Sequence, residues 1–186
     1  APAVLSLAHA MRTGSSVLSV AAPLMRALAE SRKINVGLAC PDRDEMVYLE
    51  SIRYSRRIVL RHVVSGQRVP MELTSLGRAY LAVAPEAKRE ALLARFAQKR
   101  AAQWPALKKD IAQAAQSVQA RGFCAAAWQP EVVALATPLV TADAVYVLNC
   151  SLSTAEPLAL VAEELCAALL QLRSDVAQRL DAAAAF

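Results

Sequence analysis

The sequence predicts an α+β fold: a mainly antiparallel sheet of six strands with helices packed against it. Three observations lead there. The elements run helix, three strands, a block of helices, three more strands and a closing helix. Strands and helices do not alternate one by one, so the pattern is not that of a doubly wound parallel sheet. Only five glycines are present and no Gly-rich phosphate-cradling loop can be assembled from them. Helices are expected to group on one face of the sheet.

Each element follows from its local pattern. Residues 1–12 carry an apolar stripe of Val4, Leu5, Leu7, Ala8 and Met11 and read as the tail of a helix. Thr13-Gly14-Ser15-Ser16 breaks and recaps the chain. A helix over Val17–Ser31 follows, with Val17, Val20, Leu24 and Leu28 on one face and Pro23 in its first turns. Ile34–Ala39 is β-rich, Cys40–Asp44 is a turn, and Glu45–Tyr54 alternates with Val47, Leu49 and Ile52 inward. These two runs form a hairpin. Ile58–Val64 reads as a third strand that ends at Ser65-Gly66.

Three helices are expected next: Thr74–Ala84, Pro85–Arg100, and Pro105–Arg121 closed by Gly122. Phe123–Trp128, Val132–Pro138 and Ala144–Ser151 are the later strands, with Thr141-Ala142-Asp143 between the last two. The closing helix runs over Pro157–Ala183, with Leu158, Val161, Leu165, Leu169 and Leu172 on one face.

Composition narrows the function. The chain has 186 residues, the length of one domain, and 56% are apolar, much of that alanine. No run approaches the ~18 apolar residues of a membrane helix. No secretory leader is legible in Ala1-Pro2-Ala3, which lacks an initiator Met, so the chain reads as a piece of something longer. Cys40, Cys124, Cys150 and Cys166 form no CxxC pair and read as reduced thiols of a cytoplasmic protein. With only His9 and His62 beside them, no metal cluster and no catalytic triad has a natural home. The net charge of +5 is spread over the chain, and no DNA-reading helix-turn-helix pattern is present.

The most informative stretch is Val69–Ala82. Pro70 holds Val69 extended, and Thr74 or Ser75 then caps a helix. An extended segment that feeds a helix start leaves backbone N–H groups aimed at one spot, and the helix dipole favours an anion there. The same stretch resembles the effector domains of IclR-type transcription regulators, whose pattern is roughly Pro-apolar-His-x-Thr-Ala-x-Gly-Lys/Arg-Ala-x-Leu-Ala. Here Glu72 takes the His place and Ser75 one Ala place. Further matches come in order. Pro2–Leu7 resembles the helix leading out of a DNA-binding domain, and Leu60-Arg61 with Gly66 and Pro70 resembles the third strand. Arg121-Gly122-Phe123, Ala136-Thr137-Pro138 and Ser151-Leu152-Ser153 resemble motifs of the later strands.

The resemblance implies a curved GAF/PAS-like sheet with a cavity for a small organic acid. It also implies DNA binding only through a winged helix-turn-helix domain that is not in this sequence. Residues 1–12 would then end the inter-domain linker and 13–186 form the effector domain. The positions carried over are the amides of Ser75 and Leu76, the hydroxyls of Ser151 and Ser153, and the apolar walls Ile58, Val69 and Val132. Three positions depart from the better-known pattern: Ala126 stands in an Asp place, Ala134 in a Cys place and Arg61 in a Met place. Fewer polar walls and an added cation suggest a bulkier, aromatic carboxylate. Glu72 is expected to face solvent, and Arg53, Arg56 and Arg57 to form a solvated basic turn.

The function implied is a ligand-sensing domain that self-associates as a dimer or tetramer, with the apolar face of Val17–Leu28 a candidate contact. No cofactor, metal or membrane is called for. Two alternatives stand beside it: a dimerisation module without ligand, and a small enzyme acting on carboxylic acids.

Overall fold

The computed structural model describes residues 15–54 and 64–184. The linker tail at 1–12 and nearly all of the strand expected over Ile58–Val64 lie outside the described residues.

Helix α1 (Ser16–Arg32) starts where Ser15 accepts the Leu18 N–H, and it stops at Lys33, whose φ of 57° leaves the helical range. Pro23 sits eight residues in, beyond the first turns where it was expected, and its ring is exposed. Strands β1 (Asn35–Asp42) and β2 (Glu45–Ile52) form the expected hairpin. The buried side chains of β2 are Met46 and Tyr48, while Val47 and Leu49 are only half-buried, so the deeper face is the opposite of the one expected. Val64 is exposed and outside any strand. The third strand among the described residues is β3 (Arg68–Pro70).

Helices α2 (Ser75–Val83), α3 (Glu86–Lys99) and α4 (Trp104–Arg121) follow, a short 3-10 turn at Ala101–Gln103 joining the last two. Gly122 closes α4 at φ 82°, a left-handed geometry that suits a residue without Cβ. Strands β4 (Cys124–Gln129), β5 (Val132–Val140) and β6 (Val145–Ser153) lead to the long helix α5 (Leu158–Ala184).

The sheet order is β3-β2-β1-β6-β5-β4, and every neighbouring pair is antiparallel. This is the α+β architecture expected, with one correction: helices cover both faces. On one face α1 and α5 pack on Val36, Leu38, Leu135, Leu148 and Cys150. On the other, α2, α3 and α4 pack on Met46, Tyr48, Ala136 and Val147. The physical reason is visible in β5, whose residues from Val132 to Leu139 are all buried. A strand apolar on both sides needs cover on both sides. The same packing takes part of the apolar face of α1: Val17 is buried, while Val20, Leu24 and Leu28 pack on the protein's own core and stay half-buried.

Burial also sets a pH limit. It pushes the Cys124 and Cys150 thiols from 9.0 up to about 12 and the Tyr48 phenol from 10.0 up to about 12; a charge from Arg78 draws Cys124 down and a bond from Asn149 draws Tyr48 down, each by less. Between these values the unfolded chain loses protons that the folded chain keeps, so stability falls as pH rises. It is complete below about pH 9 and declines toward pH 12. Each thiol should cost on the order of 1 kcal/mol per pH unit in that window. Urea melts at pH 8 and 10 should show the loss, and it should shrink in Cys150→Ala. Equal stability at the two pH values would contradict it.

Candidate functional site

The site begins with how α2 starts. Strand β3 pairs with β2, placing Val69 opposite Met46 and Pro70 opposite Glu45. The chain turns through Met71–Leu73 and Thr74 clamps it. The Thr74 hydroxyl donates to the Pro70 carbonyl (2.9 Å) and accepts the Gly77 N–H (3.2 Å). Gly77 permits the tight turn, because a Cβ there would overlap the Met71 backbone. Cys124 Sγ donates to the Ser75 carbonyl (3.4 Å) and ties the helix start to β4. The amides of Ser75 and Leu76 are left without an acceptor inside the helix, at its positive end.

This helix start abuts a cavity of about 60 Å³ over the sheet, room for several heavy atoms. Thr74, Ser75 and Leu76 form one wall, with Val69 beside them. The opposite wall is the sheet face of β1, β6 and β5. Register puts Ala134 beside Ser151 and Ser151 beside Asn35, and in the next row Ala136 beside Asn149 and Asn149 beside Gly37. Residues two apart on a strand share a face, so Asn149 and Ser151 both reach the cavity. Ala134 adds little bulk to this wall, and at Gly37 the place of a Cβ is taken by Asn149 Oδ1 and the Tyr48 ring. Arg53, just past the end of β2, is the one cation among the described lining residues, and Trp128, 37% exposed, stands at the edge. Tyr48, held protonated by burial, lines the cavity as a neutral phenol and accepts a bond from Asn149 Nδ2 (3.5 Å).

Of the residues predicted from sequence, Val69, Ser75, Leu76, Val132, Ala134 and Ser151 come together around this cavity. Two do not. Ala126 pairs with Ala134 but lines a separate open groove of about 710 Å³ between α4 and the start of α5. Ser153 is off the cavity, its hydroxyl buried without a partner among the described residues. Ile58 and Arg61 lie outside the described residues. Glu72 requires a correction: it is fully buried rather than solvent-facing, and its Oε1 accepts from Arg100 Nε at 2.9 Å. A carboxylate at that depth needs a cation, and the end of α3 supplies it.

Sequence reasoning missed Asn35, Gly37, Tyr48, Ser51, Arg53, Thr74 and Asn149, all of which line the cavity. Two signals were available. A glycine inside a β-run marks close approach. An asparagine inside the apolar run Val147-Leu148-Asn149-Cys150, two before Ser151, continues the polar face of that strand. Among the described residues no group of three His, Cys, Asp or Glu could hold a metal, and no helix is long and apolar enough to cross a membrane.

The family described as bacterial transcriptional regulator IclR C-terminal matches residues 9–182. The chain belongs to the IclR family. It corresponds to the C-terminal domain of these regulators. An IclR family transcriptional regulator from Brucella abortus is 28% identical with a TM-score of 0.85, over 95% of this chain and 68% of that one. An IclR from Thermotoga maritima shares the fold at 15% identity and a TM-score of 0.76, over 95% of this chain and 73% of that one. An IclR homolog from Microbacterium hydrocarbonoxydans, solved in complex with 4-hydroxybenzoate, is 22% identical with a TM-score of 0.74, over 92% of this chain and 72% of that one. No curated protein matches the sequence.

Proposed function

We propose that this IclR-family domain senses a small organic carboxylate in the cavity between the α2 start and β6. One observation carries the reading: the helix start, whose first amides have no acceptor within the helix, lines the same cavity as a polar row on the sheet and Arg53. The carboxylate sits at Ser75 and Leu76, with Ser151 opposite and Arg53 as counter-charge. Val69, Val132 and Ala134 supply the apolar walls. The 4-hydroxybenzoate complex of the Microbacterium homolog supports an aromatic acid as ligand class.

The domain acts in the cytoplasm as part of a self-associating regulator and has no catalytic role of its own. Residues 1–12 end the linker from a DNA-binding domain, and 13–186 form the sensor. Ligand binding favours one arrangement of the subunits and so changes the spacing of the DNA-reading heads.

A thermal-shift screen of aromatic and aliphatic carboxylates tests this. At about a hundred times Kd a specific acid adds roughly 2.7 kcal/mol, a rise of about 5–10 °C for a domain of this size. Ser151→Ala should weaken the response. If no acid raises Tm, the sensing reading fails.

A further inference from the structure

We infer that the cavity reads a second polar group on its ligand, a hydroxyl or N–H donor, through Asn149 and Tyr48. The inference rests on the acid-sensing reading and narrows the ligand class to acids that carry a hydroxyl or amide at a distance from the carboxylate.

Asn149 is 4% exposed, and its amide is shared unequally. Nδ2 donates to the Tyr48 hydroxyl, while Oδ1 is buried and accepts from no described residue. A buried amide oxygen without a donor is costly, and the donors of the helix start are on the opposite wall. Gly37 lies beside Asn149 in register, and a Cβ on it would meet Asn149 Oδ1 and the Tyr48 ring. Without a side chain at Gly37, Oδ1 and the ring edge close onto that strand on the face that lines the cavity, and Oδ1 is left buried with no described donor. The Tyr48 hydroxyl accepts from Asn149 and can turn its own proton outward. Together they present one acceptor and one donor, which is what a ligand hydroxyl matches with its own donor and lone pairs. The helix start and Arg53 serve the anion, and this pair serves the other polar group.

The acids to compare differ at one position only. Benzoate, 3- and 4-hydroxybenzoate and the 3- and 4-fluoro analogues form one set; propionate, 3-hydroxypropionate and 3-fluoropropionate form another. Fluorine is close to a hydroxyl in size but donates nothing. Binding is measured by calorimetry on the wild type, Asn149→Ala and Tyr48→Phe, with the fold of each variant checked by circular dichroism. In at least one set the wild type should prefer the hydroxy acid about tenfold or more over both the parent and the fluoro acid. That preference, taken as the ratio of hydroxy to parent acid within each protein, should collapse in Asn149→Ala and shrink in Tyr48→Phe, which keeps the ring. If acids bind but the hydroxyl gives no preference, if the fluoro acid binds as well as the hydroxy acid, or if the preference survives Asn149→Ala, the inference is overturned and acid sensing stands. If no acid binds the wild type, both are overturned.

Discussion

Gly77→Ala should destabilise the domain by roughly 3 kcal/mol or more, a fall in Tm of about 10 °C. Helix propensity alone predicts the opposite sign, because alanine in a helix interior is favoured over glycine by about 1 kcal/mol. Packing overrides it. The new Cβ would meet the carbonyl oxygen, Cα and carbonyl carbon of Met71, all backbone atoms that no rotamer change can move aside. Met71 itself is fully buried, and the turn containing it is held by Thr74, whose hydroxyl joins Pro70 to the Gly77 amide. Relief therefore has to come from shifting the α2 start, and with it one wall of the cavity. The variant should melt early and also bind acids poorly after correction for unfolding. Gly66→Ala is the control, since a Cβ there meets nothing within 4 Å and only its φ of 86° adds strain, worth about 1 kcal/mol. A Gly77→Ala protein as stable as the wild type would mean that the turn yields freely.

Arg100→Met should cost about 3–5 kcal/mol, because it strips the counter-charge from a carboxylate that solvent does not reach. Lys99, at 3.9 Å, is too far to form a hydrogen bond to Glu72 Oε1 and is itself partly exposed. Arg78 donates only to the Glu72 backbone carbonyl, at 3.2 Å, and pairs its other end with Asp110. Removing both charges should be far milder: Glu72→Leu with Arg100→Met fills the site with apolar atoms and leaves no ion to solvate. Urea melts of the two single variants and the double should therefore be non-additive by more than 1 kcal/mol. Additive losses would show that Arg100 contributes through its contacts alone. The pair matters for the site because Glu72 belongs to the turn that delivers Thr74 and Ser75. Its ion bond anchors that turn to the end of α3.

The sequence by itself determined most elements and their order, though the third strand of the described sheet is Arg68–Pro70 and not the run read at Ile58–Val64, nearly all of which lies outside the described residues. Capping and turn chemistry are local, so Thr74 before α2, Gly122 after α4 and the turn at Thr141-Ala142-Asp143 are legible from neighbours in the chain. Ser75 and Ser151 are singled out by the family resemblance, and both line the cavity, whereas Ser153, two residues further along β6, does not. Only the tertiary structure decided which side of each element is covered and by what. The unbroken apolar run of β5 admits cover on one face or two until α1 and α5 are seen on one side and α2, α3 and α4 on the other. Glu72 looks like a surface residue until Arg100, 28 positions away, is brought to 2.9 Å. Asn149 and Gly37, 112 positions apart in the chain, are neighbours only because β1 pairs with β6. Burial, charge pairing and cavity shape are properties of long-range contacts, and those are written in no local pattern.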